Sequence, residues 1–216
     1  MSCCKRSLAK ALIPTGPLPM PALLFDIGNV LVTFDLQRCM SRMAERSPLS
    51  QPAIIEVITP LKEPFESGHM SEEEFIFRSM DGLDFDGTKA DFLDIWCDIF
   101  ALNEPMALTL ATLPKKLPAY LFSNTNGPHL RFLLERFAIF KHFDGGIYSH
   151  EAKCMKPQPG MYEQAITQFG LDPAQTFYVD DLPANIATGK RLGFVSYLYD
   201  PQDHAPLHQA LNAWVA

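Results

Sequence analysis

The chain has 216 residues, 47% hydrophobic and 20% charged, which is typical of a soluble globular enzyme with one core, or with a core and a small inserted subdomain. A formal net charge of -7 without a Lys/Arg cluster argues against nucleic-acid binding. It does not exclude a small phosphorylated ligand, because a metal ion and one lysine can make a site locally positive.

The amino-terminal segment and the cysteines bear on location. Residues 1–21 carry four prolines and three basic residues, and contain no apolar run long enough for a signal sequence or a membrane span. We therefore expect an irregular leader and no membrane contact. The five cysteines are widely spaced and include no C-x-x-C pair, so reduced thiols in the cytoplasm are favoured over disulfides or a zinc site.

The first clear element is a short apolar run that ends in a carboxylate. Ala22–Phe25 is followed at once by Asp26, Gly28 and Asn29, which predicts a buried parallel strand above a tight turn. Binding crevices of open α/β sheets lie at the carboxyl ends of the strands, so Asp26 is a candidate nucleophile or metal ligand. The alternative is that Asp26 only caps the next turn or helix.

The next segment has a helical pattern. Residues 35–47 predict a helix, Ser71 and Glu74 form a capping-box signature before a second, and residues 88–100 carry the apolar stripe of a third. We see no strand pattern between Thr33 and Asn103. Residues 35–102 are therefore predicted to form a helical insert after the first strand.

Strands and helices alternate from residue 103 onward, which predicts a parallel sheet covered by helices on both faces. Residues 22–34 and 103–216 then form one α/β core. The predicted strands are 118–122, 146–148, 176–179 and 194–199, and the predicted helices are 104–116, 126–137, 159–169, 183–192 and 205–215.

Polar residues follow several of these strands. Asp26, Ser123 with Asn124, and Asp180 with Asp181 stand at strand ends, and Lys156 lies in a nearby loop. Such strand ends meet in one crevice. Three carboxylates there would repel one another without a cation, and an oxygen-only ligand set suits Mg²⁺. A lysine and a hydroxyl suit the oxygens of a phosphoryl group.

In this arrangement the chain resembles a haloacid dehalogenase superfamily hydrolase from about Ala22 to the carboxyl terminus. Four motifs match in order, at residues 25–30, 121–125, 156–157 and 179–185. The resemblance implies a Rossmann-like parallel core with a small all-α cap inserted after the first strand. The Asp-Ile-Gly-Asn-Val wording at residues 26–30 is similar to the branch that includes sugar-1-phosphate phosphatases.

The resemblance also implies roles for individual residues. Asp26 would attack phosphorus and form an aspartyl-phosphate. Ser123, the backbone amide of Asn124, and Lys156 would hold the phosphoryl oxygens. The metal ligands would be Asp26, the carbonyl of Gly28 and Asp181, with Asp180 bound directly or through water. Asn185 would orient the metal-binding loop.

One position departs from the family pattern. Phosphatases of the family usually carry a second aspartate two residues after the nucleophile, as general acid and base, and here that residue is Gly28. Loss of such a group costs ~10²- to 10⁴-fold in rate. Three consequences remain open: a preference for good leaving groups such as sugar 1-phosphates or acyl phosphates, a weak catalyst that mainly binds its ligand, or a proton supplied from elsewhere. The candidates for that last role are Asp35, Glu66, His69 and His150.

The sequence therefore predicts a Mg²⁺-dependent phosphatase for a small phosphorylated metabolite, active as a monomer or homodimer. Two alternatives stay open. A haloacid dehalogenase also uses the first aspartate, lacks the second and needs no metal, although the Asp180-Asp181 pair would be repulsive there. The other is a protein that binds a phosphorylated ligand with little turnover.

Overall fold

The four buried apolar residues before Asp26 form the middle strand of a five-stranded parallel sheet in the computed structural model, which describes residues 20–215. The spatial order of this sheet is β5-β4-β1-β6-β7, and a separate antiparallel pair is formed by β2 and β3. The strands are β1 (Ala22–Phe25), β2 (Val32–Phe34), β3 (Phe100–Leu102), β4 (Ala119–Ser123), β5 (Gly145–Tyr148), β6 (Thr176–Asp180) and β7 (Val195–Leu198).

Ten α-helices accompany the strands in the described part of the chain, which confirms the predicted α/β class. They are α1 (Leu36–Ala44), α2 (Gln51–Glu66), α3 (Glu72–Gly82), α4 (Lys89–Cys97), α5 (Glu104–Thr112), α6 (Gly127–Arg136), α7 (Ser149–Ala152), α8 (Pro159–Phe169), α9 (Pro183–Arg191) and α10 (Ala205–Val215).

The central strand is buried on both faces, as expected for a parallel sheet covered by helices. Leu23 and Phe25 pack into an apolar cluster on one face, and Ala22 and Leu24 pack into a second cluster on the other. This alternation follows from the two-residue period of a strand. Asp26, the next residue along the chain, therefore emerges at the carboxyl edge of the sheet, between β4 and β6.

The segment between β2 and β3 contributes its own apolar cluster, built from helices α1 to α4. The prediction that no strand lies between Thr33 and Asn103 was wrong at both ends, because β2 and β3 pair antiparallel there, where this segment leaves and rejoins the core. Each strand has three residues, too few to show a period, and only their pairing across the chain stabilises them. We call the segment 35–99 the cap.

The sequence also did not predict α2. Four prolines between residues 48 and 64 suggested breaks in any regular structure, yet Pro60 and Pro64 lie inside a sixteen-residue helix. Proline removes one intrahelical hydrogen bond and crowds the preceding turn. Burial of the apolar face of α2, which includes Ile54, Ile58 and Phe65, offsets that cost. The helix start predicted at Ser71 is confirmed, since the Ser71 hydroxyl accepts a hydrogen bond from the amide of Glu74. The side chain of Glu74 pairs with Arg78 and does not complete the capping box.

The cap is held against the core by specific polar contacts. The hydroxyl of Ser149 donates to the carbonyl of Glu66 at 2.6 Å. Arg131 on α6 makes a two-pronged ion pair with Glu72 at 2.8 and 2.9 Å. Gly68, with φ +70°, lies so close to the core that a Cβ there would be 2.0 Å from the carbonyl oxygen of His150. These contacts fix the carboxyl end of α2 over the edge of the sheet.

Two sequence predictions concern the chain termini and membranes. Of the leader predicted for residues 1–21, all but Met20 and Pro21 lie outside the described residues. Among residues 20–215, no helix combines the length and apolar character that a bilayer crossing requires.

Candidate active site

Three adjacent strands bring polar side chains to one edge of the sheet. Asp26 follows β1, Ser123 ends β4 and Asp180 ends β6, and β1 pairs with both of the other strands. All three side chains are buried. The residues predicted from strand ends therefore lie side by side.

Lys156 reaches this edge from the loop between α7 and α8. Its ammonium group lies 2.6 Å from Asp180 Oδ2 and 3.0 Å from Asp26 Oδ1, and it donates to the carbonyl of Phe122 at 2.6 Å. Lys153, three residues earlier in the chain, instead donates to the carbonyl of Gly68 in the cap. Lys156 is thus the lysine that contacts the site.

Asp180 is fully buried, and both of its carboxylate oxygens accept hydrogen bonds. Its Oδ2 accepts from Lys156 and from the hydroxyl of Tyr178 at 2.7 Å, and its Oδ1 accepts from the amide of Leu182 at 2.9 Å. The side-chain amide of Asn185 donates to both oxygens, at 2.9 and 3.1 Å. Asp180 therefore holds Lys156 and Asn185 in place, and the contribution of Tyr178 was not predicted from the sequence.

Asp181, the next residue, lines the cavity. Asn29, in the left-handed region with φ 54°, donates its side-chain amide to Asp181 Oδ2 at 2.9 Å. Asparagine tolerates this conformation better than most residues. One ligand oxygen from each of Asp26, Asp180 and Asp181 lies within 4.8 Å of the others.

The donor set fits a hard divalent cation. Three carboxylates face the single ammonium of Lys156, which leaves two negative charges uncompensated at neutral pH. Oxygen ligands of this kind suit Mg²⁺. Burial raises the pKa of Asp26 to about 6 against the opposing attraction of Lys156, and burial also raises the pKa of Asp181. Attraction from Asp26 and Asp180 outweighs burial and raises the pKa of Lys156, which therefore stays charged.

Ser123 and Asn124 lie beside Asp26 in the same cavity. The hydroxyl of Ser123 makes only a long, 3.5 Å contact with the carbonyl of Asn124, so it is available to another acceptor. The side chain of Asn124 is already engaged, because it donates to the carbonyl of Lys156 at 2.9 Å and accepts from its amide at 2.8 Å. Asn124 thereby fixes the backbone that carries the lysine.

Gly28 faces the cavity without a side chain. A Cβ at this position would lie 3.3 Å from Cε1 of Phe34, a residue that is 40% exposed. The ring is therefore free to turn aside, and the backbone at Gly28 has no positive φ that would demand glycine.

The cavity has a volume of about 320 Å³ and lies between the sheet edge and the cap. The sequence offered Glu66 as a possible proton donor, and Glu66 lines this cavity, but sequence reasoning did not place Lys62, Phe34 or His129 there. No sequence signal identified these three, because periodicity predicts which face of a helix is buried but not which neighbour it meets.

Of the four residues considered as substitutes for the missing acid, Glu66 lines the cavity. Within residues 20–215 the other three lie off its wall: Asp35 caps α1 by accepting from the amide of Arg38, and His69 contacts Ser67. His150 contacts the carbonyl of Thr125 at 3.1 Å.

Comparisons with known proteins agree with this geometry. Residues 20–193 match the family model described as haloacid dehalogenase-like hydrolase. A D-ribitol-5-phosphate phosphatase from Bacteroides thetaiotaomicron is 25% identical over 200 residues, which cover 88% of this chain and 96% of that protein.

Solved structures show the same fold. A HAD family enzyme from Bacteroides thetaiotaomicron, solved as a magnesium complex, superposes with a TM-score of 0.75 at 24% identity, covering 86% of this chain and 96% of that one. A predicted HAD-like family hydrolase from Porphyromonas gingivalis gives a TM-score of 0.74 at 26% identity, covering 89% and 98%. With a family model that spans most of its length and this site at the sheet edge, the chain belongs to the haloacid dehalogenase-like hydrolases.

Proposed function

We propose that this hydrolase is a Mg²⁺-dependent phosphatase that acts on a small phosphorylated metabolite through an aspartyl-phosphate on Asp26. The observation that carries the proposal is the position of the Asp26 carboxylate. It lies 3.0 Å from Lys156, lines the cavity, and has an oxygen within 4.8 Å of carboxylate oxygens of Asp180 and Asp181. That combination suits the attack of a carboxylate on a phosphoryl group held by cations.

Each neighbouring group has a part in this chemistry. Asp26 attacks phosphorus, and the oxygen of the leaving group departs in line on the opposite side. Lys156 and the hydroxyl of Ser123 bind the phosphoryl oxygens, together with the backbone amide of Asn124, and neutralise charge as it develops. Asp180 and Asn185 position Lys156 and the loop that carries Asp181.

Asp26, Asp181 and the carbonyl of Gly28 would hold Mg²⁺. Bound there, the ion would supply charge neutralisation for the phosphoryl group and the nucleophile. Asp180 suits an orienting role better than a direct one, because both of its oxygens already accept hydrogen bonds.

The size of the cavity and the relative with a known substrate support a small polyol or sugar phosphate. A volume of about 320 Å³ is at the lower end of the range for small-molecule pockets. The related phosphatase is named for D-ribitol 5-phosphate, a small phosphorylated polyol. Gly28 supplies no proton to the leaving group, so sugar 1-phosphates and acyl phosphates, whose oxygens need less protonation, are the substrates whose turnover depends least on an acid from another side chain.

The dehalogenase alternative is less well supported by the same contacts. A carbon-directed nucleophile without a metal gains nothing from Asp181, whose ligand oxygen lies within 4.8 Å of those of Asp26 and Asp180. In the absence of a cation these charges repel one another.

The test is a screen of phosphate release across phosphorylated sugars, polyols and acyl phosphates, with Mg²⁺ or with chelator. We expect turnover that needs Mg²⁺ and disappears in Asp26→Asn. Chloride release from 2-chloroacids that survives chelator, without phosphatase activity, would establish the dehalogenase. Binding of Mg²⁺ and inorganic phosphate without turnover of any substrate would establish a binding protein.

A further inference from the structure

The proposed reaction needs a proton on the side of the cavity that faces the cap. In an in-line displacement the leaving oxygen lies opposite Asp26, and for an alkyl phosphate it departs as a strongly basic alkoxide unless an acid protonates it. Gly28 provides no such group. The donor must therefore be another side chain on the cavity wall.

Few side chains on the cap side of the cavity can donate this proton. Cys39 is buried, which raises its pKa to about 12. Burial lowers the pKa of His129 to about 4, and both of its nitrogens are engaged, with the carbonyl of Trp96 at 3.0 Å and the side-chain amide of Asn126 at 3.1 Å. A neutral imidazole whose one N–H already donates to a carbonyl is too weak an acid to protonate the leaving oxygen.

Glu66 is the remaining carboxyl group on the cap side of the cavity among the described residues. Its side chain is 17% exposed, and its nearest cation is Lys62 Nζ at 3.8 Å, one helical turn away. That separation exceeds hydrogen-bond length, so the carboxyl group keeps its own hydrogen-bonding capacity for a ligand.

The backbone of Glu66 is fixed relative to the phosphate-binding strand. Its carbonyl accepts from Ser149 Oγ at 2.6 Å, and the same oxygen of Ser149 accepts from the amide of Thr125 at 2.9 Å. Thr125 lies two residues after Ser123 and lines the cavity. A single serine thus ties the end of α2 to the loop that carries Ser123 and Asn124.

We infer that Glu66 is the general acid for the leaving group and the general base for the attacking water, an inference that rests on the proposed phosphatase function. As the Asp26 oxygen bonds to phosphorus, the bond to the leaving oxygen breaks and its electron pair takes the proton of Glu66. The products are an aspartyl-phosphate, an alcohol and the Glu66 carboxylate. The carboxylate then accepts a proton from the water that attacks phosphorus, which releases phosphate and restores both Asp26 and protonated Glu66.

The electrostatic setting supports this assignment. Burial raises the pKa of Glu66, and Lys62 opposes the rise. A raised pKa keeps the acid form populated closer to neutral pH. The other titratable groups that face Glu66 across the cavity are Asp26, Cys39, His129, Lys156 and Asp181.

The experiment compares leaving groups in wild type and Glu66→Gln, both saturated with Mg²⁺. p-Nitrophenyl phosphate and acetyl phosphate release weakly basic oxygens, whereas glycerol phosphate and ribitol 5-phosphate release alkoxides. We expect kcat/KM for the alkyl esters to fall ~10²- to 10⁴-fold in Glu66→Gln and that for p-nitrophenyl phosphate to change by less than ~5-fold. We also expect the alkyl ester activity of wild type to fall as rising pH deprotonates Glu66, and this fall to be absent in Glu66→Gln.

Two matched variants complete the test. Glu63→Gln changes an exposed carboxyl group on the same helix and should leave all substrates unaffected. Lys62→Gln should not show the selective fall in kcat/KM for alkyl esters that we expect of Glu66→Gln. The inference would be overturned if Glu66→Gln lost kcat/KM equally for every leaving group or lost none. It would also be overturned if the selective loss appeared in Lys62→Gln instead, or if wild type were inactive on alkyl esters. Wild-type turnover of p-nitrophenyl phosphate, which needs no acid, tests the proposed function separately.

Discussion

His129 provides a quantitative test of the packing between cap and core. The imidazole is 8% exposed, stacks on Trp96 of the cap at 5.1 Å between ring centroids, and donates to the carbonyl of Trp96. Burial is the largest influence on its pKa and lowers it from 6.5 to about 4, with a smaller contribution in the same direction from the charge of Lys62. The folded protein thus keeps this histidine neutral at pH values where the unfolded chain takes up a proton.

The lowered pKa of His129 makes the folded protein less stable in acid. Between pH 6.5 and about 4 the unfolded chain binds more protons at this position, so the free energy of unfolding falls as the pH is lowered through that window. The difference between the two pKa values corresponds to about 3 kcal/mol. Above pH 6.5 the contribution is constant.

The test variant is His129→Gln, in which the side chain at position 129 is uncharged at every pH. Urea unfolding of wild type and variant at intervals from pH 7.5 to 4.5 gives the difference in unfolding free energy, in which titrations common to both proteins cancel. We expect the variant to be less stable by about 1–2 kcal/mol at pH 7.5, because contacts are lost, and this difference to shrink or reverse by pH 4.5. His142→Gln, at an exposed position, is the control and should follow wild type. A difference between wild type and His129→Gln that does not change with pH would refute the reasoning.

Further predictions concern the site and the cap. Asp26→Asn should abolish steady-state phosphate release, and any activity near that of wild type would exclude Asp26 as nucleophile. Asp181→Asn should raise the Mg²⁺ concentration for half-maximal binding, measured by calorimetry, at least ~10-fold, whereas an unchanged affinity would place the ion elsewhere. Gly68→Ala should lower kcat/KM at least ~10-fold because its Cβ would meet the carbonyl of His150 at 2.0 Å and displace the end of α2. Gly170→Ala is the control, since Gly170 has a similar φ of +63° with nothing within 4 Å, and equal losses in the two variants would indicate backbone strain alone.

The α/β core was predictable because its signals are local. A buried strand such as Ala22–Phe25 shows as an apolar run, and the polar residue that follows it must emerge at the carboxyl edge of a parallel sheet. The structure places Asp26, Ser123 and Asp180 at that edge. Asp26 and Ser123 line one cavity with Lys156 and Asp181, and Asp180 is buried behind Lys156.

Features that depend on contacts between distant segments were not predictable in the same way. The pairing of Val32–Phe34 with Phe100–Leu102 has no period to detect, and the prolines of α2 argued against a helix that tertiary packing stabilises. The hydrogen bond from Tyr178 to Asp180 likewise depends on rotamers that the sequence does not encode locally.

The central claim is that Asp26 itself accepts the phosphoryl group, and a trapping experiment tests it most directly. Wild type mixed with substrate and Mg²⁺, quenched in acid within one turnover and treated with borohydride, converts an aspartyl-phosphate to homoserine, which peptide mass spectrometry locates. The account predicts homoserine at position 26 in wild type and none in Asp26→Asn. Release of phosphate from wild type without any such product, or with homoserine at another carboxyl position, would contradict it.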